Sequence, residues 1–201
     1  MKNRIYQLIF LLLLISTFSL YSADNKPTKS FEDLLTESKM LFQMPNGFIE
    51  TTTVDNVQMN YEFAIKYPDK KFEIRYSIRP LGAMIEEYKK NEKNKKPGDI
   101  HVDPNKFYPT LFQAIAMNIS DFRFGGKKEF DKSSVQEEFN ADWGATTFVE
   151  AGKSFGQDYK YCMMLAIHKD GCADAYIFFM TDDKEHLMEL ATPAFYSLKF
   201  K

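Results

Sequence analysis

The chain has 201 residues, with 26 Lys and Arg against 28 Asp and Glu and a net charge of −2; its 44% hydrophobic and 27% charged content is that of a folded globular protein and excludes wholesale disorder. The charge also argues against nucleic acid, because phosphate binding needs a concentrated basic face. The outlying feature is a load of 19 Phe, 11 Tyr and 1 Trp, ample apolar surface for a core.

The chain opens with the pattern of a secretory leader. Lys2 and Arg4 form a positive start, residues 8–15 are wholly apolar, and Leu20-Tyr-Ser22 offers a cleavage site before Ala23. The apolar run is short for a span, so a cleaved signal peptide over 1–22 is favoured over a retained anchor. The expected organisation is a leader (1–22), a linker and short helix (23–39), and a single α+β domain (40–201). The expected location is periplasmic or secreted, with membrane contact only through the leader during export.

Ser30 is placed to cap a short helix through about Lys39, with Glu32 and Asp33 in its first turn. Met40 to Met44 reads as a strand, ended by Pro45-Asn46-Gly47, and Phe48 to Val54 as an extended segment. Tyr61, Phe63, Ile65 and Tyr67 alternate with polar or small residues, and after Pro68-Asp-Lys-Lys71 the alternation resumes with Phe72, Ile74, Tyr76 and Ile78. This is a β-hairpin with one apolar and one polar face, pairing Phe63 with Tyr76, Ile65 with Ile74 and Lys66 with Glu73. Pro80 ends it. Leu81, Met84, Ile85 and Tyr88 fall on one helical stripe; residues 91–106 read as a long exposed loop; Tyr108, Leu111, Phe112, Ile115 and Ile119 mark a second helix. Gly125-Gly126 breaks the chain, Ser133 or Ser134 can cap a helix over 134–141, and Ala145 to Ala151 is a strand. Residues 159–168 and 173–180 form a second hairpin, apolar on both faces and so expected at the centre of a covered sheet. Thr181 is expected to cap a last helix, Pro193 to begin a further turn, and the chain ends Phe195-Tyr-Ser-Leu-Lys-Phe200.

An exported chain with two cysteines invites a disulfide. A turn centred on Asp170-Gly171 sets Lys169 opposite Cys172 and Cys162 opposite Phe179, so the cysteines lie too far apart along the ladder to be bridged. Two unpaired thiols are expected.

Strands that come in hairpins rather than βαβ units point to an α+β fold with a mostly antiparallel sheet flanked by helices. Four segments carry a resemblance: Phe42-Gln-Met-Pro-Asn-Gly-Phe48, Phe72-Glu-Ile-Arg-Tyr76, Phe139-Asn-Ala-Asp-Trp-Gly144 and Phe195-Tyr-Ser-Leu-Lys-Phe200. Together with the order of elements they make residues 40–200 similar to the PsbP-like family, whose fold a small Ran-binding nuclear factor shares. The resemblance implies an α-β-α sandwich. It carries no catalytic motif onto this chain, and fold alone does not give activity.

Three constellations offer chemistry. Gly152-Lys-Ser154-Phe-Gly156 matches the nucleophile elbow of α/β-hydrolases, and Asp182 and His186 follow in the order that fold uses. Few residues follow Ser154, however, and an elbow needs a helix where a hairpin is expected, so the serine-hydrolase reading is an alternative. Asp99, His101 and Asp103 alternate in the long loop and could hold a divalent metal, against the plainer reading of a solvated loop. Arg75 and Arg79 lie on the polar face of the first hairpin with Glu62, and paired guanidiniums there suit a carboxylate or other anion, from a small ligand or a protein. The Asn118-Ile-Ser120 sequon falls inside a helix, so no sugar is expected. No cofactor is called for. The leading expectation is an exported, non-enzymatic accessory or binding protein of the cell envelope.

Overall fold

A computed structural model describes residues 29–201; the leader over 1–22 and the first residues of the linker lie outside the described part. In chain order the elements are α1 (Phe31–Glu37), β1 (Met40–Phe42), β2 (Ile49–Glu50), β3 (Phe63–Lys66), β4 (Phe72–Pro80), α2 (Gly82–Lys93), a 3-10 turn (Pro104–Lys106), α3 (Tyr108–Ile119), β5 (Lys128–Glu129), α4 (Lys132–Phe139), β6 (Trp143–Glu150), α5 (Lys153–Gly156), β7 (Tyr161–Lys169), β8 (Ala173–Thr181), α6 (Leu187–Ala191), a second 3-10 turn (Thr192–Ala194) and β9 (Leu198–Phe200). Seven strands form one antiparallel sheet in the order β2-β3-β4-β8-β7-β6-β5.

The second hairpin is central, as its two apolar faces require: all nine residues of β8 are buried. On one face, Ile74, Tyr76, Ile78, Leu165, Ile177 and Phe179 pack under α1, α4 and α6. On the other, Ala145, Cys162, Met164, Tyr176 and Phe178 pack under α3, α5 and the segment that carries Met59. The architecture is therefore an α+β sandwich with helices on both faces of an antiparallel sheet.

Local chemistry sets the boundaries. Ser30 and Asp33 form a reciprocal capping box on α1: Ser30 Oγ accepts from the Asp33 N–H at 3.1 Å, and the Asp33 carboxylate accepts from the Ser30 N–H at 3.2 Å. The first hairpin has the expected register, with Phe63 opposite Tyr76, Ile65 opposite Ile74 and Lys66 opposite Glu73. Strand β1 does not join this sheet. It pairs with β9, Met40 opposite Phe200, and this two-stranded ribbon lies over the first face. The two ends of the domain are thereby joined, and the Tyr76 hydroxyl shares a hydrogen bond of 2.9 Å with Ser197 Oγ beneath them.

Four expectations need correction. The helix over 132–139 is preceded by Asp131, not capped by Ser133 or Ser134. Thr181 ends β8 rather than capping a helix; its Oγ1 accepts from the Asp183 N–H, and Asp183 in turn accepts from the N–H groups of Glu185 and His186 ahead of α6. The loop over 91–106 is shorter at both ends, because α2 runs to Lys93 and the 3-10 turn begins at Pro104. The second hairpin is one residue out of the expected register: Lys169 faces Ala173 and Cys162 faces Met180. The Cys172 N–H closes the turn onto the Lys169 carbonyl at 3.0 Å, and Gly171 at φ 71° supplies the left-handed conformation that a turn needs at that position. Both cysteines are free, as expected.

Gly144 in β6 is demanded by packing. A Cβ there would lie 2.8 Å from both the Phe130 ring and the Val135 side chain. Gly144→Ala is expected to cost about 1–3 kcal/mol of stability by overpacking, measurable as a lowered urea midpoint.

Candidate functional site

Strand β4 alternates, and its second face carries Glu73, Arg75, Ser77 and Arg79. Their cross-strand neighbours on β8 are Met180, Phe178, Tyr176 and Asp174. A charged row in this position must be solvated or fully partnered, because an unpaired buried charge is costly. The two ends of the row take different solutions.

Arg75 is fully buried, at 0% exposure. Its Nε–H donates to Glu73 Oε1 at 2.6 Å, one terminal nitrogen donates to the Phe155 carbonyl, and the other reaches Gln157 Oε1 at 3.5 Å. The guanidinium carbon lies 5.1 Å from the ring centroids of both Tyr61 and Phe155, and 6.0 Å from that of Tyr159. The short helix α5 thus seats one of its own carbonyls on an arginine of the sheet. Burial, only partly offset by the Arg75 charge, pushes the Cys162 thiol beneath up to about 12, so it is an inert core group rather than a nucleophile.

Arg79 is partnered nearer the surface. Its side chain is 35% exposed and pairs at 2.7 Å with Glu62, which is itself buried. Arg79 also donates to the carbonyls of Ile78 and Asn60, each at 2.8 Å, and the second Glu62 oxygen accepts from the Ile78 N–H. The expected pair of open guanidiniums is therefore corrected. Arg75 is sealed beneath α5 and bonded to its own fold, and Arg79, paired with buried Glu62, is the part of that set that reaches solvent.

One row continues across the sheet, from Arg79 to Asp174, His168 and Trp143 in register. His168 is buried. Its Nδ1 lies 2.6 Å from Asp174 Oδ1 and its Nε2 lies 2.9 Å from Asp170 Oδ1, while its ring stacks on Tyr108 of α3 at 4.1 Å. Both ring nitrogens meet carboxylates, so only the imidazolium satisfies both contacts. Burial pulls the His168 pKa down, the two aspartates push it up, and the net direction is up. The turn beyond is held by the Asp170 N–H on Asp142 and the Gly171 N–H on Asn105. Sequence reasoning missed this cluster; its signal was His168-Lys-Asp170 and Asp174 flanking the turn, legible once Lys169 is set opposite Ala173.

The hydrolase constellation does not assemble. Ser154 lies on α5, against the second face, and the helical turn gives way to strand β7 rather than to the long helix an elbow needs. His186 stands at the start of α6, against the first face, and its Nδ1 is 2.7 Å from Asp183, not Asp182. Asp182 pairs with Lys71 at 2.6 Å and accepts from the Lys160 N–H at 2.9 Å. The loop triad is likewise dispersed. Asp99 accepts from the Lys96 N–H, Asp103 caps the 3-10 turn through the Asn105 N–H, and His101 Nδ1 lies 2.8 Å from Glu92. Among the described residues no group of three or more His, Cys, Asp or Glu is placed to hold a metal. The sequon asparagine, Asn118, donates to the Gln58 carbonyl from within α3, and Ser120 is buried.

Two open depressions mark the surface. A groove of about 540 Å³ runs along Glu50, the three threonines 51–53, Glu62 and Phe63, where the chain after β2 leaves β3. A second, of about 290 Å³, lies among Lys70, Lys71, Asp183 and His186. The first adjoins the Arg79 pair through Glu62.

No protein-family model matches the chain, and no curated protein matches it by sequence. Among solved structures it is similar to the solution structure of cyanobacterial PsbP from Synechocystis sp. PCC 6803, with a TM-score of 0.45 and 10% identity over 83% of this chain and 89% of that one. At that identity the likeness is one of fold and says nothing of what this chain binds or does. No helix among the described residues is long and apolar enough to cross a membrane.

Proposed function

We propose that the protein is an exported, non-enzymatic accessory domain of the cell envelope, which acts by presenting a surface to a partner protein or a small anionic ligand. The observation that carries this reading is the direction in which the ionisable groups face. Arg75, His168 and Asp174 are buried and bonded to elements of their own fold, while Ser154, Asp182 and His186 are held apart by the sheet or by other partners. The chemistry of the sheet is spent on holding the sandwich together. What reaches outward is Arg79, seated on the buried Glu62 carboxylate, and the adjoining groove along Glu50, the threonines and Phe63. Arg79 is the residue there that could meet a carboxylate or phosphate.

Export and the lack of serine chemistry are tested together. Recovered from the exported fraction of an expressing host, the protein is expected to have a mass beginning at Ala23 and to take up no fluorophosphonate. A chain still carrying its leader would contradict the export reading. Labelling that disappears in Ser154→Ala would contradict the non-enzymatic one.

A further inference from the structure

Helix α2 stands apart from the others: none of its twelve residues is buried. Its last turn and the loop that follows read Lys89-Lys-Asn-Glu-Lys-Asn-Lys-Lys96, five lysines against one glutamate, in a chain whose acidic residues outnumber its basic ones. Glu92 is engaged on the spot, with Lys95 Nζ at 3.0 Å and His101 Nδ1 at 2.8 Å. Among the described residues Lys89, Lys90, Lys93 and Lys96 take part in no ion pair, and all four are exposed.

The bond from His101 to Glu92 folds the loop back against the helix end. It thereby brings Ile100 and Val102, which flank His101, to the same tip as the lysines; Ile100 is 83% exposed and Val102 51%. Asp99, also exposed, accepts from the Lys96 N–H and stands as the acidic member of the tip. The tip therefore combines four unpaired ammonium groups with two bare β-branched side chains. A lone exposed apolar residue is ordinary. Two of them set among unpaired cations match an anionic bilayer, where ammonium groups meet headgroup phosphates and short apolar side chains enter the acyl boundary. An acidic protein surface would satisfy the lysines and leave Ile100 and Val102 without an apolar layer.

We propose that the tip formed by the end of α2 and residues 94–102 docks on the surface of an anionic lipid bilayer. This contact is separate from the leader and leaves all of the domain except the Ile100 and Val102 side chains outside the hydrocarbon.

The test is vesicle flotation of the full chain with phosphatidylcholine vesicles, with and without phosphatidylglycerol. The leader, with Lys2 and Arg4, would bind both kinds and bring a charge preference of its own, so each variant is read as the change it makes in the ratio between them. The expected ratio favours the anionic vesicles by about a hundredfold at low salt and collapses in high salt. Replacing Lys89, Lys90, Lys93 and Lys96 with Gln cuts the preference at least tenfold, and Ile100→Ser with Val102→Ser weakens anionic binding severalfold at unchanged charge. All six positions are exposed, so the variants should keep the wild-type melting temperature. Equal binding to both vesicles, or a lysine variant that behaves as wild type, would overturn the proposal. So would anionic binding that the Ile100 and Val102 changes leave untouched and an acidic peptide displaces, which would assign the tip to a protein partner.

Discussion

Replacing Arg75 with alanine is expected to remove about 3–5 kcal/mol of stability, the cost of breaking a buried ion pair and leaving its partner behind. The reasons are local. Glu73 would lose the guanidinium at 2.6 Å, the Phe155 carbonyl and Gln157 would lose their donor, and the space between the Tyr61 and Phe155 rings would stand empty. Arg75→Lys keeps the charge but cannot reach three acceptors with one ammonium, so an intermediate loss is expected. Arg75→Met combined with Glu73→Gln should recover much of the deficit, because it removes both charges and fills the volume. Urea denaturation of the four proteins decides it. A loss below about 1 kcal/mol for Arg75→Ala, the level of an exposed ion pair, would show that the guanidinium is not structural.

The second large effect is expected at His168, and it depends on pH. Burial pulls the ring's pKa down, but the hydrogen bonds of Asp174 and Asp170 raise it above the ordinary 6.5. The folded state therefore binds this proton more tightly than the unfolded chain. Its stabilising contribution is complete below the unfolded value and is lost as pH rises through the folded one. His168→Gln should cost about 3 kcal/mol or more near pH 5.5, by stranding buried Asp174, and distinctly less near pH 8.5. The measurement is the urea midpoint of both proteins at the two pH values. An equal gap at both would mean that folding leaves the ring's affinity for its proton unchanged, and a larger gap at pH 8.5 would mean that the ring is neutral in the fold. Asp170 is exposed, so Asp170→Asn is expected to reduce the pH dependence while costing less than loss of the ring.

Much of the sandwich was legible because its information is local. The alternation of Phe63, Ile65, Ile74 and Tyr76 sets the register of the first hairpin, and that register is observed. The doubly apolar second hairpin announced a central pair of strands, and Ser30 with Asp33 announced the start of α1. What escaped depended on distance or on a single residue. The pairing of Met40 with Phe200 joins opposite ends of the domain and leaves no short-range trace. The turn at Asp170-Gly171 reads equally well with two or three residues between the strands, and the choice moves His168 from Ala173 to Asp174. A slip of one position changes every facing pair along a strand. It hid the imidazolium between its aspartates.

The candidate residues fared differently for a related reason. Periodicity placed Arg75, Arg79 and Glu62 on one polar face, where they lie. It could not tell that a single helical turn, Lys153–Gly156, would close over Arg75 and leave Arg79 outside. The Ser154 and Asp99 motifs were spacing matches without convergence: His186 meets Asp183 and Asp182 meets Lys71 in one case, and the members meet Lys96, Glu92 and Asn105 in the other.

The buried charged groups of the sheet, Arg75 with Glu73 and His168 with Asp174, are bonded to one another and to the fold. The most direct test is the nuclear magnetic resonance signal of the Arg75 side-chain Nε–H at neutral pH, assigned by its loss in Arg75→Lys. The signal is expected to exchange with solvent as slowly as the amides of β8, and to stay in place when phosphate or citrate is added in excess. A fast-exchanging signal, or one that shifts with added anion, would mean that Arg75 faces a ligand and that the charged row of β4 is a binding site rather than an internal brace.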